Sequence, residues 1–98
     1  MTSMTIKKST RKEKKYMAIF TNKKDNKSKT THFGSAGMDD FTKTKNKDQR
    51  ERYRKRHRKD LNTNNPQRAG YLSYYLLWGQ STSLRENIKK YKKRFNFT

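Results

Sequence analysis

The stretch that decides the fold is PQRAGYLSYYLLW, residues 66–78 of a 98-residue chain. Asn65 precedes Pro66, the order expected of a helix N-cap followed by proline at the first helical position. Apolar side chains then fall on nearly every side of a helix with 3.6 residues per turn. We therefore expect a central helix that is buried all round and ends at Trp78, with Gly79 as its C′ residue.

Two segments upstream of this helix have the composition of β-strands. Residues 15–20 (KYMAIF) form a short apolar run, and residues 29–33 (KTTHF) combine threonine with aromatic side chains. The polar stretch between them, residues 22–28, is typical of a turn. Gly34 and Gly37 follow and are interpreted as turn glycines with positive φ, because no Walker-type lysine comes after them. The sequence predicts a β-hairpin.

A first amphipathic helix is predicted over residues 47–60, before the central helix. Its only stripe of packing side chains is Tyr53, His57 and Leu61, spaced at i, i+4 and i+8. We expect this helix to contact the core through that stripe and to leave its other faces in water.

The clearest amphipathic helix comes last in the chain. It opens with the capping-box pattern Ser83-x-x-Glu86. Polar and charged residues fill the positions between its apolar ones. The apolar positions follow the spacing i, i+4, i+7 and i+11 and are occupied by Leu84, Ile88, Tyr91 and Phe95.

These elements predict a small α+β domain in the order ββααα, with an N-terminal β-hairpin packed against about three helices. We expect this single domain to span residues 15–98. Residues 1–14 hold Lys, Arg, Ser and Thr with Ile6 as the only branched aliphatic, and are expected to form a flexible cationic arm. Only 28% of the chain is hydrophobic, which leaves room for one small core.

The dominant chemical feature is positive charge. The chain has 27 Lys and Arg against 8 Asp and Glu, a formal net charge of +19. Residues 50–60 and 85–94 are basic blocks with few acids to balance them at i, i+4, unlike ordinary solvated helices. Such blocks, together with the arm, are typical of surfaces that contact phosphate backbones. The predicted nucleic-acid-binding residues are Arg50, Arg52, Arg54, Lys55, Arg56, Arg58, Lys59, Arg85, Lys89, Lys90, Lys92, Lys93 and Arg94.

The last two helices also have the spacing of a helix-turn-helix, with residues 79–82 as the turn. Sequence-specific reading would then use the start of the last helix. Because an ordinary helical hairpin has the same spacing, we favour binding without sequence preference. The residues that would face DNA in the helix-turn-helix interpretation are Ser83, Arg85, Asn87, Lys89 and Lys90.

No catalytic, metal or cofactor site is predicted, and no small-molecule substrate. The chain has no cysteine, which excludes thiolate chemistry and cysteine zinc sites. His57 is expected to pack on the stripe of the first helix, and His32 to have a structural role at a strand end. Asp39 and Asp40 are the only adjacent acids, a thin basis for a metal-dependent nuclease.

No segment approaches the ~20 apolar residues that span a bilayer, and no apolar stretch of a secretion signal follows the basic N-terminus. We therefore expect a soluble chain that is not secreted. Peripheral contact with an anionic membrane is an alternative, because clusters of Lys and Arg attract acidic lipids and the last helix is amphipathic.

Several short motifs occur in a fixed order along residues 15–95. They are KYMAIF at 15–20, HFGSAG at 32–37, RYRKRH at 52–57, AGYLSYYLLW at 69–78 and IKKYKKRF at 88–95. In this order they resemble a family of small basic proteins encoded by large double-stranded DNA viruses of algae and amoebae. That family has no settled function, so the resemblance implies a viral origin and a shared compact domain. The signature positions that it implies are His32, Gly34, Gly37, Arg56 and His57.

We therefore expect a non-enzymatic viral protein that binds nucleic acid without sequence preference, as a virion or genome-packaging component. The alternative is a minor capsid or other virion structural protein whose charges meet acidic surfaces of other virion proteins. In that alternative exposed aromatic side chains, such as Tyr71, Tyr74 or Trp78, anchor the interface. The expected location is the virion, or viral factories in the host cytoplasm or nucleus.

Overall fold

Three antiparallel strands form a meander in the order β1-β2-β3. The computed structural model describes residues 2–98. Its strands are β1 (Thr2–Lys8), β2 (Lys14–Asn22) and β3 (Ser28–Ser35). The predicted hairpin corresponds to β2 and β3, with Tyr16 opposite Phe33.

The N-terminal segment is a strand, whereas the sequence analysis predicted a flexible arm over residues 1–14. Of that arm, Met1 lies outside the described residues. β1 pairs with β2 so that Met4 lies opposite Phe20, and Met4 is buried. The backbone N–H of Met4 donates to the carbonyl of Thr98 at 2.9 Å, so the C-terminus covers part of this sheet edge. Composition does not predict β1, because a strand with only one buried face needs an apolar side chain only at every second position.

Four α-helices follow the sheet, so the protein is a small α+β domain with an antiparallel sheet followed by helices. Ser83 caps the last helix by accepting from the backbone N–H of Glu86, as its sequence pattern predicted. Asp40 and Asn46 cap the first two helices in the same way. The helices are α1 (Phe41–Thr44), α2 (Lys47–His57, continued as a 3-10 helix over Arg58–Thr63), α3 (Ala69–Leu72, continued as a π-helix over Ser73–Leu77) and α4 (Leu84–Phe95).

The central helix begins later than predicted. Asn65 caps a turn, since its side chain accepts from the backbone N–H of Gln67 at 3.0 Å, and α3 begins only at Ala69. The helix then widens, because the backbone N–H of Trp78 donates to the carbonyl of Ser73, five residues earlier. This widening changes the direction of the side chains over the last turn of the segment.

Glycines have two structural roles in the chain, positive φ and close packing. Gly34 and Gly37 have φ of 78° and 82°, which confirms the predicted positive φ, although Gly34 lies within β3 and only Gly37 lies in the turn that follows. The segment ends with Trp78 as its C-cap, which confirms Gly79 as the C′ residue, but Gly79 lacks the positive φ typical of that position. A Cβ on Gly79 would lie 2.2 Å from the carbonyl oxygen of Tyr75, so this glycine serves close packing.

One core joins the inner face of the sheet to α3, its π-helical continuation and α4. Complete burial of a large apolar side chain stabilises a fold by about 1.5–3 kcal/mol, so these contacts outweigh local helix propensity. The largest fully buried side chains are Tyr91, Phe33, Phe41, Met4, Leu72, Leu76 and Leu77.

Two arginines one turn apart on α2 bind it to the end of the central helix. The guanidinium of Arg54 donates to the carbonyls of Tyr74 at 3.2 Å and Trp78 at 2.7 Å, and lies 4.0 Å from the Tyr74 ring centroid. Arg50 donates to the carbonyl of Gly79 at 3.4 Å. Carbonyls at a helix C-terminus lack partners within the helix, so the arginines supply the missing donors.

We expect Arg54→Gln to lower the free energy of unfolding by about 1.5–3 kcal/mol, because a charged donor to two carbonyls is lost. Arg52→Gln is the matched control, since Arg52 is exposed on the same helix. Its effect should stay within about 0.5 kcal/mol. Denaturant unfolding at pH 7 measures both variants, and equal losses would contradict the structural role of Arg54.

Tyr91 links α4 to the turn before α3. Its side chain is 2% exposed, and its hydroxyl donates to the carbonyl of Pro66 at 2.5 Å. Burial raises the pKa of the Tyr91 phenol well above its ordinary value, and the neighbouring Tyr71 and Tyr75 add to this effect.

The raised pKa of Tyr91 predicts a loss of stability in alkali. The folded chain holds the phenol proton more tightly than the unfolded chain, so this contribution is complete below about pH 10 and is lost as the pH rises further. Tyr91→Phe should cost about 1 kcal/mol at neutral pH through the lost hydrogen bond. In denaturant unfolding from about pH 8 to pH 11, the gap between the free energies of unfolding of wild type and variant should close, because wild type loses about 1.4 kcal/mol per pH unit above pH 10. A gap that stays constant would contradict the assignment.

Candidate nucleic-acid interface

The outer face of α2 and the turn that follows it carry exposed cations. The ion pairs among residues 2–98 have Lys15, Lys43, Arg50 and His57 as their basic partners. None of the described acids forms an ion pair with the exposed cations of this segment. They are Arg52, Lys55, Arg56, Arg58 and Lys59.

Two predicted binding residues of this segment are held by the fold instead. Arg54 is bonded to main-chain carbonyls, and the side chain of Arg50 is 18% exposed and pairs with Glu51 at 2.8 Å. The guanidinium of Arg50 also lies 4.8 Å from the ring centroid of Phe41. We assign Arg50 and Arg54 to the stability of the fold, because each donates to a main-chain carbonyl and covers an aromatic ring.

α4 presents a second row of cations. Its apolar stripe packs into the core, which leaves the basic positions outside. No partner among the described acids pairs with them. Lys92 is half-buried, and the exposed residues of this row are Arg85, Lys89, Lys90, Lys93 and Arg94.

The two basic segments meet at a groove of about 400 Å³ between the end of α2 and α4. We call it the aromatic-basic groove. Among residues 2–98, no acidic side chain lines it. Its cations are Arg54, Arg58, Lys90 and Arg94, and its tyrosines are Tyr74, Tyr75 and Tyr91. Leu61, Gly79, Gln80 and Asn87 complete the lining.

Tyr75 is the half-buried ring of the groove, whereas Tyr74 is 7% exposed and Tyr91 only 2%. The guanidinium of Arg94 lies 5.0 Å from the Tyr75 ring centroid, within the range of a cation–π contact. The Phe95 ring packs against Tyr75 at 5.6 Å between centroids. The residue pattern predicts only a core position for this tyrosine, because nothing in the order of residues places it beside Arg94.

A further basic hollow of about 530 Å³ lies at the turn between β1 and β2. The cations predicted for the flexible arm are thus held at the tip of a hairpin. Ser9 Oγ lies 2.8 Å from Nδ1 of His32, so His32 supports this turn from β3. The hollow is lined by Lys8, Arg11, Lys12, Lys14, Lys15 and Tyr16 with small residues.

The helix-turn-helix interpretation is wrong for Asn87 and Ser83. Asn87 is 3% exposed, and its side-chain amide donates to the carbonyls of Leu76 at 3.0 Å and Ser81 at 2.8 Å. Its oxygen accepts from the backbone N–H of Ser81. Ser83 is engaged as the N-cap of α4. Both side chains hold the ends of this turn, and the buried amide of Asn87 has no free group for a base edge.

The adjacent acids do not form a paired carboxylate site. Asp40 is buried, caps α1 and accepts from Lys15 Nζ at 2.5 Å and from the hydroxyl of Thr42. Asp39 is exposed and faces Lys43 at 3.8 Å. Asp40 therefore links the sheet to the helices.

A stack of rings lines a separate cleft of about 590 Å³ between the β3–α1 loop and α2. Tyr53 lies between His57 and Trp78, with ring centroids 4.2 Å and 4.4 Å away. Nδ1 of His57 is 3.1 Å from the Asp60 carboxylate. Burial raises the pKa of Tyr53, and the Asp60 carboxylate adds to the effect.

The charges of this cleft balance, unlike those of the aromatic-basic groove. Its cations are offset by three carboxylates, so its field does not favour a polyanion. The charged side chains that line it are Lys14, Lys15 and Arg56 against Asp39, Asp40 and Asp60, with His57 beside them.

The aromatic anchors expected for a virion contact are buried. Tyr71 and Tyr74 are 7% exposed and Trp78 is 6% exposed, so the expectation that they lie on the surface is wrong. Tyr71 packs against Phe95 of α4, whereas Arg54 and Tyr53 of α2 cover Tyr74 and Trp78. The apolar face of α4 is likewise occupied by the core. Within residues 2–98, no helix has the length and apolarity needed to cross a membrane.

Comparisons with known proteins bear on the N-terminal half of the chain. No curated protein and no solved structure matches the chain. Residues 4–57 match DUF5754, a family of unknown function. This segment holds most of the sheet, α1 and α2, and it contains only Arg54 of the described residues that line the aromatic-basic groove. Because the match covers more than half of the 98 residues, the chain belongs to the DUF5754 family.

Proposed function

We propose that the protein binds nucleic acid through the phosphate backbone, without sequence preference and without catalysis. The observation that carries this proposal is the set of exposed cations on α2, its 3-10 continuation and α4 that form no ion pair among residues 2–98. Three of them, Arg58, Lys90 and Arg94, line a groove that has no acid in its described lining. Arginine and lysine in such rows supply charge-assisted hydrogen bonds to phosphate oxygens. Binding to phosphates needs no base contact, which agrees with the internal bonding of Asn87.

Two alternatives receive less support. A virion structural protein held by aromatic anchors needs those rings at the surface, and Tyr71, Tyr74 and Trp78 are buried. Insertion of α4 into an anionic membrane needs its apolar stripe, which lies in the core. Both would have to rely on charge alone.

Duplex binding should weaken steeply with salt. About six neutralised phosphates correspond to a slope of log K against log[salt] near −5, since each contributes about −0.9. Fluorescence anisotropy with unrelated duplexes of equal length measures the slope and should give the same value for each sequence. A slope near zero would contradict phosphate binding, and a large preference for one duplex would indicate base reading.

Two variants with equal charge localise the contact. The triple substitution Arg52→Gln, Lys55→Gln and Arg56→Gln should make the slope of log K against log[salt] about 2.7 units shallower, because three phosphate contacts are lost. The matched control changes three exposed lysines of the β2–β3 turn to glutamine and should leave the slope within about one unit. These lysines are Lys23, Lys24 and Lys27. Equal losses would show that net charge alone matters.

The resemblance to proteins of large DNA viruses leads us to propose a packaged genome as the native ligand. In virions separated into shell and nucleoprotein core, mass spectrometry should find this protein's peptides in the core. The protein should leave the core as salt rises, because counterion release drives its binding. Retention in the shell after the DNA is digested would contradict the proposal.

A further inference from the structure

We propose that the aromatic-basic groove binds an unpaired nucleobase, so that single-stranded nucleic acid is the preferred ligand. This inference rests on the proposed function and names the ligand of the same surface. The groove combines cations with a tyrosine ring that is partly open to solvent, and its lining among residues 2–98 has no carboxylate. Proteins that bind single strands use this combination of a basic groove and a stacking ring.

The geometry at Tyr75 supports a stacking position. The planar guanidinium of Arg94 already lies 5.0 Å from the ring centroid, so the exposed side of the ring accepts a flat group. Arg94 is exposed in the last turn of α4, and none of the ion pairs among residues 2–98 includes it. A nucleobase takes its place on Tyr75, and the freed guanidinium contacts the adjoining phosphate.

The remaining walls of the groove suit the strand on both sides of that base. Arg58 comes from the 3-10 turn after α2, and Lys90 lies one helical turn before Arg94 on α4. These flexible cations lie on opposite walls, where they contact phosphates before and after the stacked base. Tyr75 is fixed from behind by Tyr91 and Phe95, with centroids 5.7 Å and 5.6 Å away, so the ring is preorganised.

A duplex cannot use this position without being opened. Its bases are stacked on one another and their faces are covered, whereas an unpaired base offers a free face. The exposed cations outside the groove still bind the phosphates of either ligand. Single strands therefore gain a contact that duplexes lack.

The first test uses the wild-type chain and needs no substitution. A thymidine oligonucleotide and an abasic strand of the same length carry the same phosphates, and only the first has bases. At equal salt, we expect the thymidine strand to bind at least about fivefold more tightly, the lower end of what stacking of one base contributes. A uridine oligonucleotide of the same length is measured in parallel. The tighter binder of the thymidine and uridine strands shows whether DNA or RNA is preferred. Equal affinity of both base-bearing strands and the abasic strand would overturn the inference.

The second test locates the stacking ring. Tyr75→Leu should weaken binding of the base-bearing strand by about 5- to 100-fold and leave abasic-strand affinity within about twofold. Tyr75→Phe is the matched control and should bind like wild type, since it keeps the ring. Circular dichroism checks that the variants are folded. Equal loss for both strands would overturn the role of Tyr75.

The two proposals fail in different ways. Tight, salt-dependent binding of the abasic strand with no gain from bases rejects the stacking position and keeps phosphate binding. Absence of salt-dependent binding to every strand rejects the proposed function itself.

Discussion

The scarcity of apolar side chains is the constraint on which the rest of the structure depends. With 28% hydrophobic residues, the chain can build only one core, and the segment from Ala69 to Trp78 supplies much of it. A buried unpaired charge costs far more than a buried methylene gains, so cations of the neighbouring helices must stay outside that core. The exposed basic rows of α2 and α4 are thus a consequence of where the aromatic segment lies.

Arginine has two uses on α2, and the tertiary structure separates them. Arg50 and Arg54 face inward, where planar guanidinium groups donate to carbonyls and cover aromatic rings. Arg52 and Arg56 face water and have no acidic partner. The inward pair stabilises the end of the central helix, and the outward pair is free to meet phosphate.

The two proposed contacts belong to different parts of the chain. The exposed face of α2 lies within the segment that matches the DUF5754 family, residues 4–57. Tyr75, Lys90 and Arg94 lie beyond it, so base stacking depends on the C-terminal half. Phosphate binding and base stacking can therefore be separated by substitution.

Four features were predictable from the sequence alone, because they depend on neighbours a few residues apart. They are the β2–β3 hairpin, the glycine turn, the cap of α4 at Ser83 and the charge of the two basic segments. The sequence could not predict β1, since a strand with one buried face is specified by pairing with β2 and the distant Thr98. Nor could the sequence distinguish Arg54, which bonds to main-chain carbonyls, from the exposed Arg52, or predict that Arg94 lies over the Tyr75 ring. These arginine positions follow from the tertiary structure, because each depends on the direction of a side chain between two packed elements.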